Sequence, residues 1–232
     1  MHMAESPRNP HRPIRSYVLR QGRMTEAQQR AFDNLWPHYG LSLDEGPLNF
    51  ESLFGNLHPV TLEIGFGNGE TLAELAFRRP QHNYLGVEVH GPGVGHLMLR
   101  LARQESDNVR ILQGDAMTLL RHHLAPACLS QILLYFPDPW PKLRHRKRRI
   151  VQPEFVELAH RALCPGGQLH MATDWRDYAR QMLRQVSAHG GFVNRAGAEG
   201  FSPRPDSRPL TKFEQRGQRL GHGVWDLLFE RP

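Results

Sequence analysis

Short apolar runs alternate along the chain with stretches in which apolar residues recur every three or four positions. Val60-Thr61-Leu62-Glu63-Ile64 reads as a buried strand, and Leu72, Leu75 and Ala76 then repeat at the spacing of a helix packed on one face. Tyr84–Val89 is a second strand, followed by a helical stripe of Val94, Leu97, Met98 and Leu101. Val109–Gln113 and Gln131–Phe136 are the third and fourth strands. Phe155, Leu158, Ala159 and Ala162 mark another helix, which Pro153 starts and Cys164-Pro165-Gly166-Gly167 stops. Gln168–Thr173 is a fifth strand, and Tyr178, Met182 and Val186 continue the alternation. Val224–Phe229 is a last strand, expected to close the sheet antiparallel.

Before this pattern, Thr25–Tyr39 reads as a helix with Thr25 as its N-cap, and Gly40–Asn56 as loop. Residues 1–23 hold three prolines and five arginines with little to bury, the signature of a mobile basic arm, which leaves 24–232 as a single domain. The stretch Gly197–Gly223 is rich in Gly, Pro and Arg and reads as loop.

Strand and helix in strict alternation imply an α/β fold, a parallel sheet with helices on both faces. Ligands bind such sheets at the carboxyl ends of the strands. Glu63, Glu88, Asp115, Asp138 and Asp174 all fall at or near those ends, more carboxylates on one rim than solvation requires.

Composition narrows the partners. The net charge of +6 over 232 residues favours a polyanion. Two cysteines, Cys128 and Cys164, are too few for a disulfide framework or a thiolate metal site, and the histidines show no ligand spacing, so no metal is expected. The N-terminus has no apolar core of a signal peptide, and no apolar run approaches the ~20 residues of a membrane span. A cytoplasmic protein is expected.

The glycine loop Gly65-Phe66-Gly67-Asn68-Gly69 does not fit a dinucleotide. That fingerprint needs a glycine three residues after the second one, where Glu70 stands, and a carboxylate there would repel a pyrophosphate. A glycine loop preceded by Glu63 suits a ligand with a cationic amino-acid end, which S-adenosylmethionine has. Gly65, Gly67 and Gly69 let the backbone approach it, and Glu63 attracts its ammonium group, directly or through water. Glu88 can accept the ribose hydroxyls, and Asp115 can accept from the adenine amino group.

Asp138 lies between two prolines at the end of the fourth strand, beside the expected methyl group. A nucleophile with a free lone pair needs no general base, so the carboxylate would orient it and stabilise the charge that N-methylation creates. Trp140 is open to two readings, a stacking surface for an unstacked base or a core tryptophan. Six of the eight residues from Lys142 to Arg149 are Lys or Arg, a run placed to hold phosphates.

Glu63–Gly69, Phe136-Pro137-Asp138-Pro139-Trp140-Pro141-Lys142, Arg144–Arg149 and Thr211-Lys212-Phe213-Glu214 together resemble the tRNA (guanine-N7)-methyltransferases. The resemblance covers about residues 15 to 230 and leaves the N-terminal arm and Gly40–Asn56 least matched. It implies the Rossmann-like class I methyltransferase fold, a mostly parallel seven-stranded sheet with an antiparallel C-terminal strand. It implies methylation of N7 of a guanine in the tRNA variable loop, with S-adenosylmethionine as donor. Glu63, Glu88, Asp115, Ala116 and Asp138 would line the donor site, Asp138 being catalytic. Lys142, Asp174, Thr211, Lys212, Phe213 and Glu214 would contact substrate, and Arg144, His145, Arg146, Lys147, Arg148 and Arg149 would bind RNA. The alternatives are the same chemistry on another RNA, or an RNA-binding protein without catalysis; a monomer and a homodimer are both compatible with the chain.

Overall fold

A computed structural model describes residues 15–18, 22–43, 46–198, 200–210, 214–215 and 223–232. Seven strands form one sheet: β1 (Val60–Ile64), β2 (Asn83–Glu88), β3 (Val109–Gln113), β4 (Leu129–Tyr135), β5 (Leu163–Thr173), β6 (Val193–Asn194) and β7 (Trp225–Glu230), in the order β3-β2-β1-β4-β5-β7-β6. The first five run parallel, and β7 pairs antiparallel with both β5 and β6. The expected mixed sheet with an antiparallel C-terminal strand is present.

Helices α1 (Glu26–Tyr39), α3 (Glu70–Arg78) and α4 (Gly91–Gln104) cover one face of the sheet. The other carries α5 (Ala116–Thr118), which widens into a π turn over Leu119–His123, then α6 (Pro153–Ala162) and α7 (Arg176–His189). The periodic residues are those that bury: Leu72, Leu97, Leu101, Phe155, Tyr178 and Met182 are fully inaccessible. Thr25 caps α1 as expected, accepting from the backbone N–H of Gln28 at 3.2 Å while the Gln28 side chain accepts from its own N–H at 2.8 Å.

Two expectations need correction, and one element was not foreseen. Gly40–Asn56 is not all loop, because α2 (Phe50–Phe54) forms there between an Asn49 cap and a left-handed Gly55. The strand expected from Gln168 begins at Leu163: the Gly166 N–H donates to the Arg231 carbonyl and the Arg231 N–H to that of Gly167, which draws the Pro-Gly-Gly turn into pairing. The edge strand β6 is two residues long, too short to leave a pattern.

Because β1 to β5 are parallel, their carboxyl ends share one edge of the sheet. Close packing there leaves little slack. A Cβ on Gly93, in the first turn of α4, would lie 2.2 Å from the Gly67 carbonyl oxygen, so the start of α4 presses directly on the glycine loop.

Candidate active site

A cavity of about 590 Å³ opens at the carboxyl ends of β1 to β4, within the range of small-molecule sites. Its wall is built from Gly65, Glu88, Asp115, Ala116 and Asp138, with the aromatic residues Tyr17, Tyr135, Phe136 and Trp140 around them.

The glycine loop adopts a conformation that side chains resist. Gly65, Gly67 and Gly69 have φ of 70°, 58° and 71°, and Gly69 opens α3. Glu88 holds the loop to the end of β2. Its Oε2 accepts the Gly67 N–H at 2.9 Å, and Oε1 accepts those of Val89 and His90 at 2.7 and 3.0 Å. A carboxylate has about four acceptor positions, so roughly one remains for a ligand hydroxyl. Asp115 caps α5, accepting from the Met117 N–H and the Thr118 hydroxyl at 3.3 and 3.2 Å.

Glu63 does not line the cavity. It is buried in β1 behind the loop, and its Oε2 has no hydrogen-bond partner. Burial, and then the charge of Glu88, push its pKa up to about 8. It is therefore mostly neutral at pH 7 in the ligand-free protein.

Asp138 is exposed at the rim, on a loop with an unusual backbone. Phe136 and Trp140, either side of the Pro-Asp-Pro segment, both adopt positive φ, 51° and 41°. Such residues cost about 1–3 kcal/mol each and persist only where the surroundings over-determine them. Here the Phe136 N–H donates to the Ala172 carbonyl at 2.8 Å, and Arg149 Nε donates to the Pro139 carbonyl at 2.7 Å. The Trp140 indole N–H donates to the Ser16 carbonyl at 3.1 Å, and the Arg148 guanidinium lies 3.9 Å from the centre of its ring. Trp140 is thus a half-buried platform wedged by a cation and not a core residue.

The basic run divides into two kinds of residue. Lys142, Arg144 and Lys147 are exposed, and His145, Arg146 and Arg148 are half-buried on a 3₁₀ helix over Leu143–Arg148. Arg148 donates to the carbonyls of Arg15 and Tyr17, each at 3.0 Å, which holds the short segment 15–18 against the site. Arg149, expected to hold RNA, is buried instead. Besides Pro139 it donates to Gln181 Oε1 at 2.6 Å and Asp177 Oδ2 at 2.8 Å, and its guanidinium stacks 4.7 Å over the Tyr178 ring. Asp177 also meets Arg146 at 3.2 Å, and the hydrogen bond from Arg149, with both positive charges, lowers its pKa. Asp177 and Gln181, four apart on α7, were the one sequence signal of this clamp.

A second cavity of about 560 Å³ shares Ser16, Tyr17, Asp115 and Ile150 with the first and is lined by Arg15, Arg121, Lys147 and Arg148. Asp174 follows β5 but is not on the wall of either cavity. Thr211, Lys212 and Phe213 lie outside the described residues. Glu214 is buried and forms an ion pair with Arg208 that sequence reasoning missed. Among the described residues no group of three His, Cys, Asp or Glu side chains is arranged to hold a metal, and no helix is long and apolar enough to cross a membrane.

Residues 57–227 match the profile of a family described as putative methyltransferase. A tRNA (guanine-N(7)-)-methyltransferase of Hydrogenovibrio crunogenus is 54% identical over 95% of this chain and 92% of its own. Among solved structures, the 16S rRNA methyltransferase KamB superposes with a TM-score of 0.61 at 18% identity, over 84% of this chain and 98% of that one. A mutant of the 16S rRNA (adenine(1408)-N(1))-methyltransferase of Catenulisporales acidiphilia, solved with its cosubstrate SAM, superposes with a TM-score of 0.56 at 16% identity, over 82% and 92%.

The buried Glu63 has a consequence in solution. Its folded-state pKa is raised, so the stability it confers is complete below the ordinary value of 4.5 and is lost as pH rises to about 8. Glu63→Gln, which cannot ionise, should therefore gain in melting temperature relative to the wild type as pH rises from 5 to 8, with a plateau above. Thermal denaturation without ligand measures this, and a difference that does not change with pH would contradict it.

Proposed function

The chain belongs to the tRNA (guanine-N7-)-methyltransferase family, and from that premise we propose that it transfers a methyl group from S-adenosylmethionine to N7 of a guanine in the tRNA variable loop. The observation that carries the reading is the position of Asp138. It stands at the mouth of the glycine-loop cavity, between that cavity and an exposed basic segment.

The residues present fit the donor. Of the three loop glycines in positive φ, Gly65 lines the cavity, Glu88 keeps an acceptor position for a ribose hydroxyl, and Asp115 and Ala116 stand one strand further on. Glu63, behind the cavity wall, offers a buried oxygen without a partner, which an ammonium group in the cavity would reach through water. S-adenosylmethionine supplies an electrophilic methyl group when bound. The protein's part is to hold the acceptor in line with it and keep the geometry, an effect worth roughly 7–11 kcal/mol in favourable cases.

Guanine N7 carries a lone pair and no proton, so no base has to remove one. The ring gains a positive charge when the bond forms, and the Asp138 carboxylate, fixed between two prolines, is the group that meets it. Lys142, Arg144, His145, Arg146, Lys147 and Arg148 supply the phosphate contacts. Arg149 is left out of that set because its donors are spent inside the protein. Asp174 and Thr211–Phe213 are assigned to substrate by family resemblance alone, and residues 24–232 act as one catalytic domain. The substrate class implies action in the cytoplasm.

Incubation with methyl-labelled S-adenosylmethionine and unmodified tRNA should yield label in 7-methylguanosine after nuclease digestion. Label at another atom, or none, would overturn the assignment. Replacing Arg144 and Lys147 together with Gln should reduce the slope of log affinity for tRNA against log salt by about 0.7–0.9 for each lost phosphate contact. An unchanged slope would show that these two cations do not touch RNA.

A further inference from the structure

β5 leaves the sheet beside β4, on the edge that bears Asp138. In that parallel pair Tyr135 is opposite Ala172, so Asp138 and Trp175 each stand three residues beyond the same rung. Adjacent strands lie about 4.8 Å apart, so the two segments emerge as neighbours. The Thr173 hydroxyl accepts the Trp175 N–H at 3.2 Å, which fixes the turn from β5 into α7 with Trp175 as its extended N-cap residue. Two residues on, Asp177 accepts from Arg149 at 2.8 Å and meets Arg146 at 3.2 Å, and Arg149 donates to the Pro139 carbonyl next to Asp138. The start of α7 is therefore tied both to the loop of Asp138 and to the basic 3₁₀ helix.

Trp175 stands at this junction 41% exposed. Among the described residues no ring, cation or acceptor engages its indole, whereas Trp36 stacks on Phe32 at 5.6 Å between ring centres and Trp140 is held by Ser16 and Arg148. Arg176 beside it is exposed as well. An indole so exposed adds little to the core. A ring set among cations is the composition of a nucleic-acid surface, in which rings take base faces and cations take phosphates. Trp175 lines neither cavity, so it does not stand where the methyl group would be transferred. Its place is beside that point, where an adjoining nucleotide of the same strand would lie.

We propose that Trp175 is a stacking platform for an unpaired base next to the target guanine in the RNA. The inference rests on the methyltransferase reading above and extends it from the reacting base to its neighbour. Asp138 meets the guanine, the basic 3₁₀ helix meets phosphates, and Trp175 holds the strand splayed by taking the next base on its ring. Stacking on an aromatic ring is worth about 5- to 150-fold in affinity for each base and is tolerant of which base it is. Trp175 therefore contributes to the grip on the RNA and not to the choice of sequence.

The test uses the full chain with Trp175→Ala, which removes the ring, and Trp175→Phe, which keeps one. Each is assayed for S-adenosylhomocysteine binding and for kcat and KM with tRNA, at a temperature where circular dichroism shows it folded. Trp175→Ala is expected to lower kcat/KM for tRNA about fivefold or more, with S-adenosylhomocysteine affinity within about threefold of wild type, and Trp175→Phe to recover most of the loss. Saturating tRNA should also quench less tryptophan fluorescence in Trp175→Phe than in the wild type, since the stacked indole is gone; equal quenching would overturn the proposal. Unaltered kinetics in Trp175→Ala would do the same, as would a parallel loss of S-adenosylhomocysteine binding or a loss that Trp175→Phe leaves in full. If Trp175→Ala does not fold, the quenching difference decides alone. A wild-type protein inactive on tRNA would refute the methyltransferase reading itself, whereas an active wild type with unaltered Trp175→Ala would refute only the platform.

Discussion

The guanidinium of Arg149 is the interaction on which the reaction site depends. The loop that carries Asp138 contains two residues in positive φ, a conformation worth roughly 2–6 kcal/mol of strain in all at about 1–3 kcal/mol each. The Phe136 N–H holds one end of Phe136-Pro137-Asp138-Pro139-Trp140 by donating to the Ala172 carbonyl. Arg149 holds the other from beneath by donating to the Pro139 carbonyl while Asp177 and Gln181 anchor it to α7. Stacking on Tyr178 completes its burial, and the Tyr178 hydroxyl accepts in turn from the Val151 N–H. The ring of Trp140 takes Arg148, so one helix holds the loop and the loop holds the far end of the basic run.

Arg208, the other large buried arginine, lies against Tyr135 and Phe136 at the end of β4 and bridges Asp226 and Glu214. Charge is sorted around this frame. Carboxylates line the cavity at Glu88, Asp115 and Asp138. Exposed cations at Lys142, Arg144 and Lys147 face outward. On the proposed reading, a methyl donor that carries positive charge and an RNA that carries negative charge would meet adjacent parts of one surface.

Much of this was legible in the chain. The strands of a parallel sheet are buried on both faces and read as continuous apolar runs, so β1 to β4 and their carboxylate ends could be placed from Val60–Ile64, Tyr84–Val89, Val109–Gln113 and Gln131–Phe136. α2 and β6 could not, because five and two residues carry no period; only Asn49 and Gly55 hinted at a capped turn. Arg149 was read as a surface cation because a run of like charges says nothing about which member turns inward. That choice is made by acceptors far along the chain on α7. Glu63 was legible as an acid behind the glycine loop, but its depth and its missing partner are properties of packing. Arg208 stood in a stretch without pattern and Asp226, eighteen residues on, in the last strand, and only the pairing of β7 with β5 brings Asp226 to His170.

On the proposed reading, the carboxylate held over Arg149 acts in the methyl-transfer step, on the charge that forms on the guanine, and not merely in RNA binding. The single-turnover rate of methyl transfer by Asp138→Ala, with tRNA and S-adenosylhomocysteine affinities measured alongside, tests this most directly. A fall of about 10²–10³ in rate or more, the scale of losing one preorganised charge-stabilising group, is predicted with tRNA affinity largely retained. A near-normal rate in the folded variant would contradict the claim, as would a loss explained entirely by weaker tRNA binding.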